Sequence, residues 1–345
     1  MNKLYVFMGY PGSGKTTIAR DFAREQGALY LSSDDIREEL FGFRDQTKHK
    51  ETFAELEKRA LERKDIGNCL IDATNLNRKD RMKTIERYRK VYELHLFCIL
   101  RPVDELFDVN ELRGMYNQKS EYIPEDVFKR ILGKFQLPTF DEGWKTISFK
   151  LNTSKDSIED CIFNYNNMED EDHDNPHHPE TIKEHINFTV NHCKRNNLFN
   201  WLADLAYYHD LGKFYVKIFN EEKGYHQCCG HASVSGYIYL IDTIVKYLKH
   251  YEEQRAVSFD NSESCRYINI YNFNNCSDIL NMYYLIYYHD QPFACEGRDK
   301  LLKSLSKPSK PLSYLQKDGK INIELFADIL IGFNKIDRMR DEVDR

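Results

Sequence analysis

No two cysteines of this 345-residue chain stand in a Cys-x-x-Cys arrangement, and their total of 9 is odd. A disulfide framework is therefore not the organising device. Reduced thiols are expected, and with them a cytoplasmic protein. Nor is there an apolar run of the ~20 residues needed to span a bilayer, so no membrane partner is expected. The opening MNKLYVFMGY reads as a short strand entering a loop, not as a signal peptide. Positive charge is not in excess: the net charge is -6, which removes an overall basic signature for nucleic acid but leaves room for a local basic groove. Internal repeats are absent. Tryptophan is scarce (2), whereas tyrosine (23) and phenylalanine (21) are plentiful enough to fill cores and still offer rings on which bases stack.

What is there divides into two textures. Short apolar runs at Leu4 to Met8, Ala28 to Leu31, Cys69 to Asp72, Leu94 to Leu100 and Thr146 to Leu151 alternate with helical stretches such as Thr16 to Gln26 and Lys79 to Tyr92. Alternation of that kind predicts an α/β domain with a parallel sheet covered on both faces, over residues 1–155. The acidic, polar NNMEDEDHDNPHHP then reads as the core of a linker over 156–178. Residues 179–345 carry helical periodicity and no convincing strand alternation, so an all-α domain is expected there.

The segment from Gly9 to Thr16 fits G-x-x-x-x-G-K-[ST], between a strand and a helix. In such a loop the backbone N–H groups of Gly9, Gly12, Ser13, Gly14 and Thr17 surround phosphate oxygens, Lys15 reaches the β and γ phosphates, and the Thr16 hydroxyl holds Mg²⁺. ATP and Mg²⁺ are the expected ligands. In LSSDDIREEL, Asp34, Asp35 and Arg37 follow the second strand; a carboxylate there can accept the proton of an acceptor hydroxyl. The alternative is that these acids cap the next helix at its positive end. Asp72, ending an apolar strand in IDATNLN, stands where Mg²⁺-linked carboxylates sit.

These motifs, with NELRGMYNQKSEYIPEDVFKR after them, resemble the kinase domain of phage polynucleotide 5′-kinases and their zeta-toxin-like relatives. The resemblance covers about the first 140 residues. It implies Asp34 as general base toward a 5′-hydroxyl, Arg37 beside the acceptor phosphate, Arg113 as a lid arginine, and Asn75 in the same cleft.

The second texture holds ligand-type residues on several helices: His185, the pair His209-Asp210, His226 and His231, His289 in a second YYHD, and Asp337. A lone histidine on an apolar helix is more often a satisfied core residue. Imidazoles and carboxylates gathered by a helical bundle are a site for a divalent transition metal. Adjacent Cys228 and Cys229 are poor zinc ligands, because neighbours in sequence rarely chelate one tetrahedral ion. The order NPHHPETIKEH, YYHDLGK, YHQCCGHASVSG resembles the HD phosphohydrolase superfamily, with Ala232 standing where many relatives have Glu. That resemblance implies His185, His209, Asp210 and Asp337 as the basic metal set, His231 and His289 for a second ion, and Lys213 and His178 toward the substrate phosphate. Mn²⁺, Ni²⁺, Co²⁺, Zn²⁺ and Fe²⁺ all suit such ligands.

A kinase and a phosphohydrolase acting on one end would cancel each other. Acting on opposite ends of a break, they would prepare it for sealing. The expectation is an RNA end-healing enzyme that works on RNA, or DNA, ends beside a separate RNA ligase. The alternatives are a zeta-toxin-like small-molecule kinase fused to a nucleotide phosphohydrolase, and a nucleotide-sensing second domain that regulates the kinase.

Overall fold

The computed structural model describes residues 1–43, 47–115, 122–176, 179–196, 198–255, 267–295 and 297–339. It forms two compact units. One comprises Met1–Ile123, Gln136–Asp156 and Tyr251–Tyr271; the other comprises Pro124–Phe135, Ser157–His250 and Asn272–Arg345.

The first unit runs β1 (Lys3–Met8), α1 (Lys15–Glu25), β2 (Leu29–Ser32), α2 (Ser33–Phe41), α3 (His49–Arg63), β3 (Cys69–Asp72), α4 (Arg78–Tyr88), β4 (Glu93–Leu100), α5 (Val103–Met115) and β5 (Thr146–Leu151). The strands form one parallel sheet in the order β2-β3-β1-β4-β5. In register, Val6 lies between Ile71 and Leu96. The central strands are near-continuous apolar runs because both their faces are covered. On one face Phe7 stacks on Phe97 at 5.2 Å, and Ala19 and Ala23 let α1 approach the sheet closely. β1 and β3 therefore deliver the Gly-rich loop and Asp72 to the carboxyl edge of the sheet, where ligands of open α/β folds bind. A fully buried pair, Arg81 with Glu142, braces this edge: two guanidinium nitrogens of Arg81 donate to the carboxylate at 2.7 Å, and its Nη1 donates to the carbonyls of Asn75 and Leu76.

The second unit holds α6 (Glu125–Leu132), α7 (Ile182–Arg195), α8 (Asn200–Tyr208), α9 (Lys213–Val216), α10 (His231–Arg255), α11 (Cys276–Tyr288), α12 (Gln291–Ala294), α13 (Arg298–Leu305), α14 (Pro311–Lys317) and α15 (Ile323–Asp337). It is not wholly helical. β6 (Ile218–Asn220) and β7 (Tyr225–Gln227) pair as a short antiparallel hairpin, too brief to show alternation in the sequence.

The units depart from the boundaries read in the sequence in two ways. The stretch around α6 belongs with the helices: Phe128, Leu132 and Phe135 are buried, and the Phe135 ring meets Tyr237 at 4.8 Å. The expected linker 156–178 is built into the second unit. Cys161 and His173 are buried, the Phe163 N–H donates to Asp242 at 2.9 Å, and Asp172 bridges to Thr181. Its acidic residues are largely solvent-facing, which gives a packed strap the composition of a linker.

Candidate functional site

At the phosphate loop, Gly14 caps α1 with φ +78°, a left-handed conformation that L side chains rarely adopt, and the amide of Asn152 fills the space a Cβ would need while donating to the Ser13 carbonyl at 2.7 Å. A Cβ on Gly9 would stand 2.7 Å from the Ile99 carbonyl. Ser13 Oγ is buried without a hydrogen-bond partner. The result is a backbone cradle at a helix N-terminus whose donors and dipole fit phosphate oxygens. Lys15 pairs with the buried carboxylate of Asp72, which also accepts from Tyr30 Oη at 2.8 Å. Burial works to raise the Asp72 carboxyl, but Lys15, Tyr30 and the Thr16 hydroxyl outweigh it and hold it below its ordinary value, ionised and fit for a cation. Thr16 and Thr17 are exposed on the first turn of α1.

Ser32 supplies the side-chain cap of α2. Its Oγ accepts from the N–H groups of Asp34 and Asp35, and the two carboxylates lie in the first turn, at the positive end of the helix. Asp35 meets Arg20 at 2.8 Å on the surface. Asp34 accepts from Arg37 Nη1 at 2.7 Å; Arg37 is buried, and among the described residues its Nε has no hydrogen-bond partner. Asn75 is buried at φ +48°, its amide donating to the carbonyls of Phe7 and Ala73. Arg113 lies in the last turn of α5. Tyr30, which sequence reasoning passed over, steadies Asp72; nothing in a lone strand tyrosine signals this.

In the second unit the repeated YYHD builds the same local structure twice. His209 and His289 each close a helix, and each Nδ1–H donates to the carbonyl three residues earlier, of Ala206 at 2.8 Å and of Ile286 at 2.7 Å. His231 does likewise to Cys228, at 2.9 Å. Carbonyls of a last helical turn lack intrahelical partners, and an imidazole serves them. His185, near the start of α7, is held instead by a buried carboxylate, with Glu180 Oε1 3.0 Å from its Nδ1. Four rings thus have Nδ1 committed outward and Nε2 turned inward, onto two carboxylates. Nε2 of His185 lies 2.9 Å from Asp337 Oδ1 and 3.3 Å from Asp210 Oδ2; Nε2 of His209 lies 3.0 and 3.2 Å from the same oxygens. Nε2 of His231 and His289 approach the other oxygen, Asp210 Oδ1, at 3.1 and 3.5 Å. Asp210 therefore bridges two ligand sets.

Lone pairs of neutral imidazoles facing carboxylates repel each other unless a positive charge stands between them. Burial alone would lower the His209 pKa, yet Asp210 and Asp337 push it up to about 10, and burial, which would raise both carboxyls, is likewise outweighed so that they fall well below their ordinary value. The cluster keeps its carboxylates ionised, a charge that protonated imidazoles or bound cations balance. The sets His185, His209, Asp210, Asp337 and Asp210, His231, His289 each bring their donor atoms within 4.8 Å of one another, which fits divalent ions bound by nitrogen and oxygen.

Around the cluster, Lys213 is buried with Nζ 2.7 Å from Asp210 Oδ2 and 3.3 Å from His173 Nε2. His173 Nδ1 donates to the Glu180 carbonyl at 2.7 Å, so Glu180, which continues the strap past residue 178, orients both His173 and His185. Glu180, His173 and Asp290 escaped the sequence reading. The signal for Asp290 was present, as the second half of the second His-Asp pair; its carboxylate lies 3.3 Å from Nε2 of both His231 and His289. His226 is not brought into the cluster: its Nδ1 faces Asp174 at 3.7 Å. His178 lies outside the described residues.

A family profile described as an AAA domain matches residues 4–138. A bifunctional polynucleotide phosphatase/kinase of Schizosaccharomyces pombe is 27% identical over 146 residues, 42% of this chain and 32% of that protein. Among solved structures, one of a Pnkp1/Rnl/Hen1 RNA repair complex is 27% identical over 39% of this chain and 44% of that one, with a TM-score of 0.35. The Mycobacterium tuberculosis APS kinase CysC is 20% identical over 46% of this chain and 92% of that one, with a TM-score of 0.33. The chain thus matches about a third of the yeast relative and under half of the repair-complex chain. The first unit is an α/β domain with a P-loop at the carboxyl edge of its parallel sheet. No described helix is long and apolar enough to cross a membrane.

Proposed function

We propose that the chain heals both ends of a broken RNA: the first unit phosphorylates a 5′-hydroxyl end, and the second, an HD-type phosphohydrolase, opens a 2′,3′-cyclic phosphate and removes the remaining monoester. The observation that carries this reading is the pairing, in one chain, of a phosphate cradle and an Asp34–Arg37 pair in the first unit with an Asp210-bridged cluster of two ligand sets in the second. The likeness of the first unit to a polynucleotide kinase supports a polynucleotide acceptor. The product would carry the 5′-phosphate and 3′-hydroxyl that a separate RNA ligase needs.

In the first unit, Lys15 and the loop N–H groups would hold the ATP phosphates, and Thr16 with Asp72 would hold Mg²⁺; bound there, ATP supplies the phosphoryl group and Mg²⁺ neutralises its charge. The Asp34 carboxylate accepts the proton of the 5′-hydroxyl, and Arg37, with an unmet N–H, binds the acceptor phosphate. Arg113 would reach the transferred group from α5. In the second unit, the two ligand sets would hold Mn²⁺, Ni²⁺, Co²⁺, Zn²⁺ or Fe²⁺, which supplies a water ionised near neutral pH and offsets phosphate charge. Lys213, held on Asp210 and His173, directs an ammonium toward the phosphate, and burial against these partners keeps it desolvated.

The test is one RNA oligonucleotide bearing a 5′-hydroxyl and a 2′,3′-cyclic phosphate, incubated with protein, ATP, Mg²⁺ and Mn²⁺, with both ends read by mass. Gain of the 5′-phosphate and loss of the 3′-phosphate are expected. Lys15→Ala or Asp34→Ala should remove only the first change, and His209→Ala or Asp210→Ala only the second. No change at either end with wild-type protein, or one substitution abolishing both activities in a folded protein, overturns the proposal.

A further inference from the structure

The solvent-facing edge of the imidazole–carboxylate cluster is formed where α12 begins and α15 ends. Asp290, just before α12, has a half-exposed side chain (50%), although its carboxylate touches His231 and His289. Asp337, closing α15, is the most exposed member of the first ligand set. The residue after Asp337 is Arg338, and the third after Asp290 is Phe293. These two meet: the guanidinium carbon lies 3.9 Å from the ring centroid. Both are exposed, Phe293 by 45%.

This pair does little for the fold. Phe293 leaves nearly half its surface in water, and among the described residues the Arg338 guanidinium has no carboxylate or hydrogen-bond partner, its backbone N–H alone being bonded, to the carbonyls of Asn334 and Ile336. Carboxylates crowd the opening, so an incoming phosphate meets repulsion unless a cation waits there. A guanidinium splinted flat on a ring keeps its edge N–H groups available to phosphate oxygens, and its outer face, like the ring, is a plane on which a base stacks.

We infer that Phe293 and Arg338 form the subsite for the terminal nucleotide whose phosphate the cluster hydrolyses, Arg338 taking phosphate oxygens and the stacked pair taking the nucleobase. The inference rests on the hydrolase reading of the second unit and names its substrate class: a phosphate carried on a nucleoside rather than a bare phosphomonoester.

The test uses the full chain loaded with Mn²⁺ and the variants Phe293→Ala, Phe293→Leu, Arg338→Ala and Arg338→Lys, two probes being compared. Hydrolysis of a 3′-phosphorylated RNA oligonucleotide is set against that of p-nitrophenyl phosphate, which has no base. Binding of adenosine 3′-monophosphate is measured by calorimetry. Phe293→Ala and Arg338→Ala should each raise the KM for the oligonucleotide and the Kd for the nucleotide roughly tenfold, as expected for loss of one stacking or phosphate contact. Phe293→Ala should move the KM for p-nitrophenyl phosphate far less. Arg338→Lys should recover less than half the loss, because an ammonium lacks the plane, and Phe293→Leu should rank between alanine and wild type. Values for Phe293→Ala and Arg338→Ala within twofold of wild type on both probes overturn the subsite. If the wild-type protein hydrolyses neither substrate, the hydrolase reading has failed on its own, and the nucleotide Kd series still decides the subsite.

Discussion

Replacing Glu180 by glutamine tests whether the strap residue serves the metal set or only the packing. Glu180 Oε1 lies 3.0 Å from His185 Nδ1, with both groups buried. Glutamine keeps an oxygen acceptor at the same distance and removes the charge. A hydrogen bond to a charged group is worth about 1.5–3 kcal/mol against about 0.5–1.5 for a neutral one, so the substitution should weaken His185 as a ligand by ~1–1.5 kcal/mol. That is close to tenfold in metal Kd. Glu180→Ala, which removes the anchor itself, belongs at the far end of the 10- to 100-fold range typical of outer ligand-orienting groups. The assay is calorimetric titration of metal-stripped protein with Mn²⁺, read as stoichiometry and Kd for each variant, with thermal unfolding of the metal-free protein alongside. The set containing His231 and His289 is an internal control: those rings are fixed by the carbonyls of Cys228 and Ile286, not by Glu180, and should keep their affinity. A Glu180→Ala protein that unfolds earlier without metal yet binds Mn²⁺ with wild-type Kd at both sites would refute the reasoning, since packing alone would then explain the residue.

Two further outcomes follow from buried carboxyls. Burial raises the Asp242 pKa to about 6, against the pull of the Phe163 N–H and the Tyr208 hydroxyl. Its folded value exceeds its unfolded one, so the contribution is fully present below pH ~4 and is lost as pH rises through ~6; the difference between the two amounts to about 3 kcal/mol. Wild type minus Asp242→Asn, measured by urea unfolding at several pH values, should fall across that window, and a flat difference rejects the assignment. Tyr30→Phe removes one donor from Asp72. Loss of ~1 kcal/mol should cut phosphoryl transfer about fivefold and raise the Mg²⁺ requirement, read by rate against Mg²⁺ concentration; an unchanged Mg²⁺ dependence would place Tyr30 outside the cation site.

The phosphate loop was legible because its chemistry is local: one turn between β1 and α1 carries every glycine and Lys15, and spacing alone fixes their geometry. The residues that gather in the second unit's imidazole–carboxylate cluster were legible by type, and a repeated YYHD makes the same ring-to-carbonyl bond where each helix ends after it. That Asp210 turns one oxygen to each set was not, because this depends on α7, α8, α10, α11 and α15 converging over more than 150 residues of sequence. Asp34 shows a third case. As a cap or as a base it has the same sequence context, and the placement of Ser32 Oγ on both N–H groups shows only that the side-chain cap is the serine. The strap was misread for a physical reason as well. An acidic, proline-containing stretch and a segment that packs a few side chains inward while exposing the rest share one composition. His173 and Glu180 are two inward residues of such a segment, and the side chains they hold, Lys213 and His185, both approach Asp210 Oδ2, at 2.7 and 3.3 Å. A deletion that treats the strap as spacer should therefore remove the function of the cluster while leaving its named ligands in place.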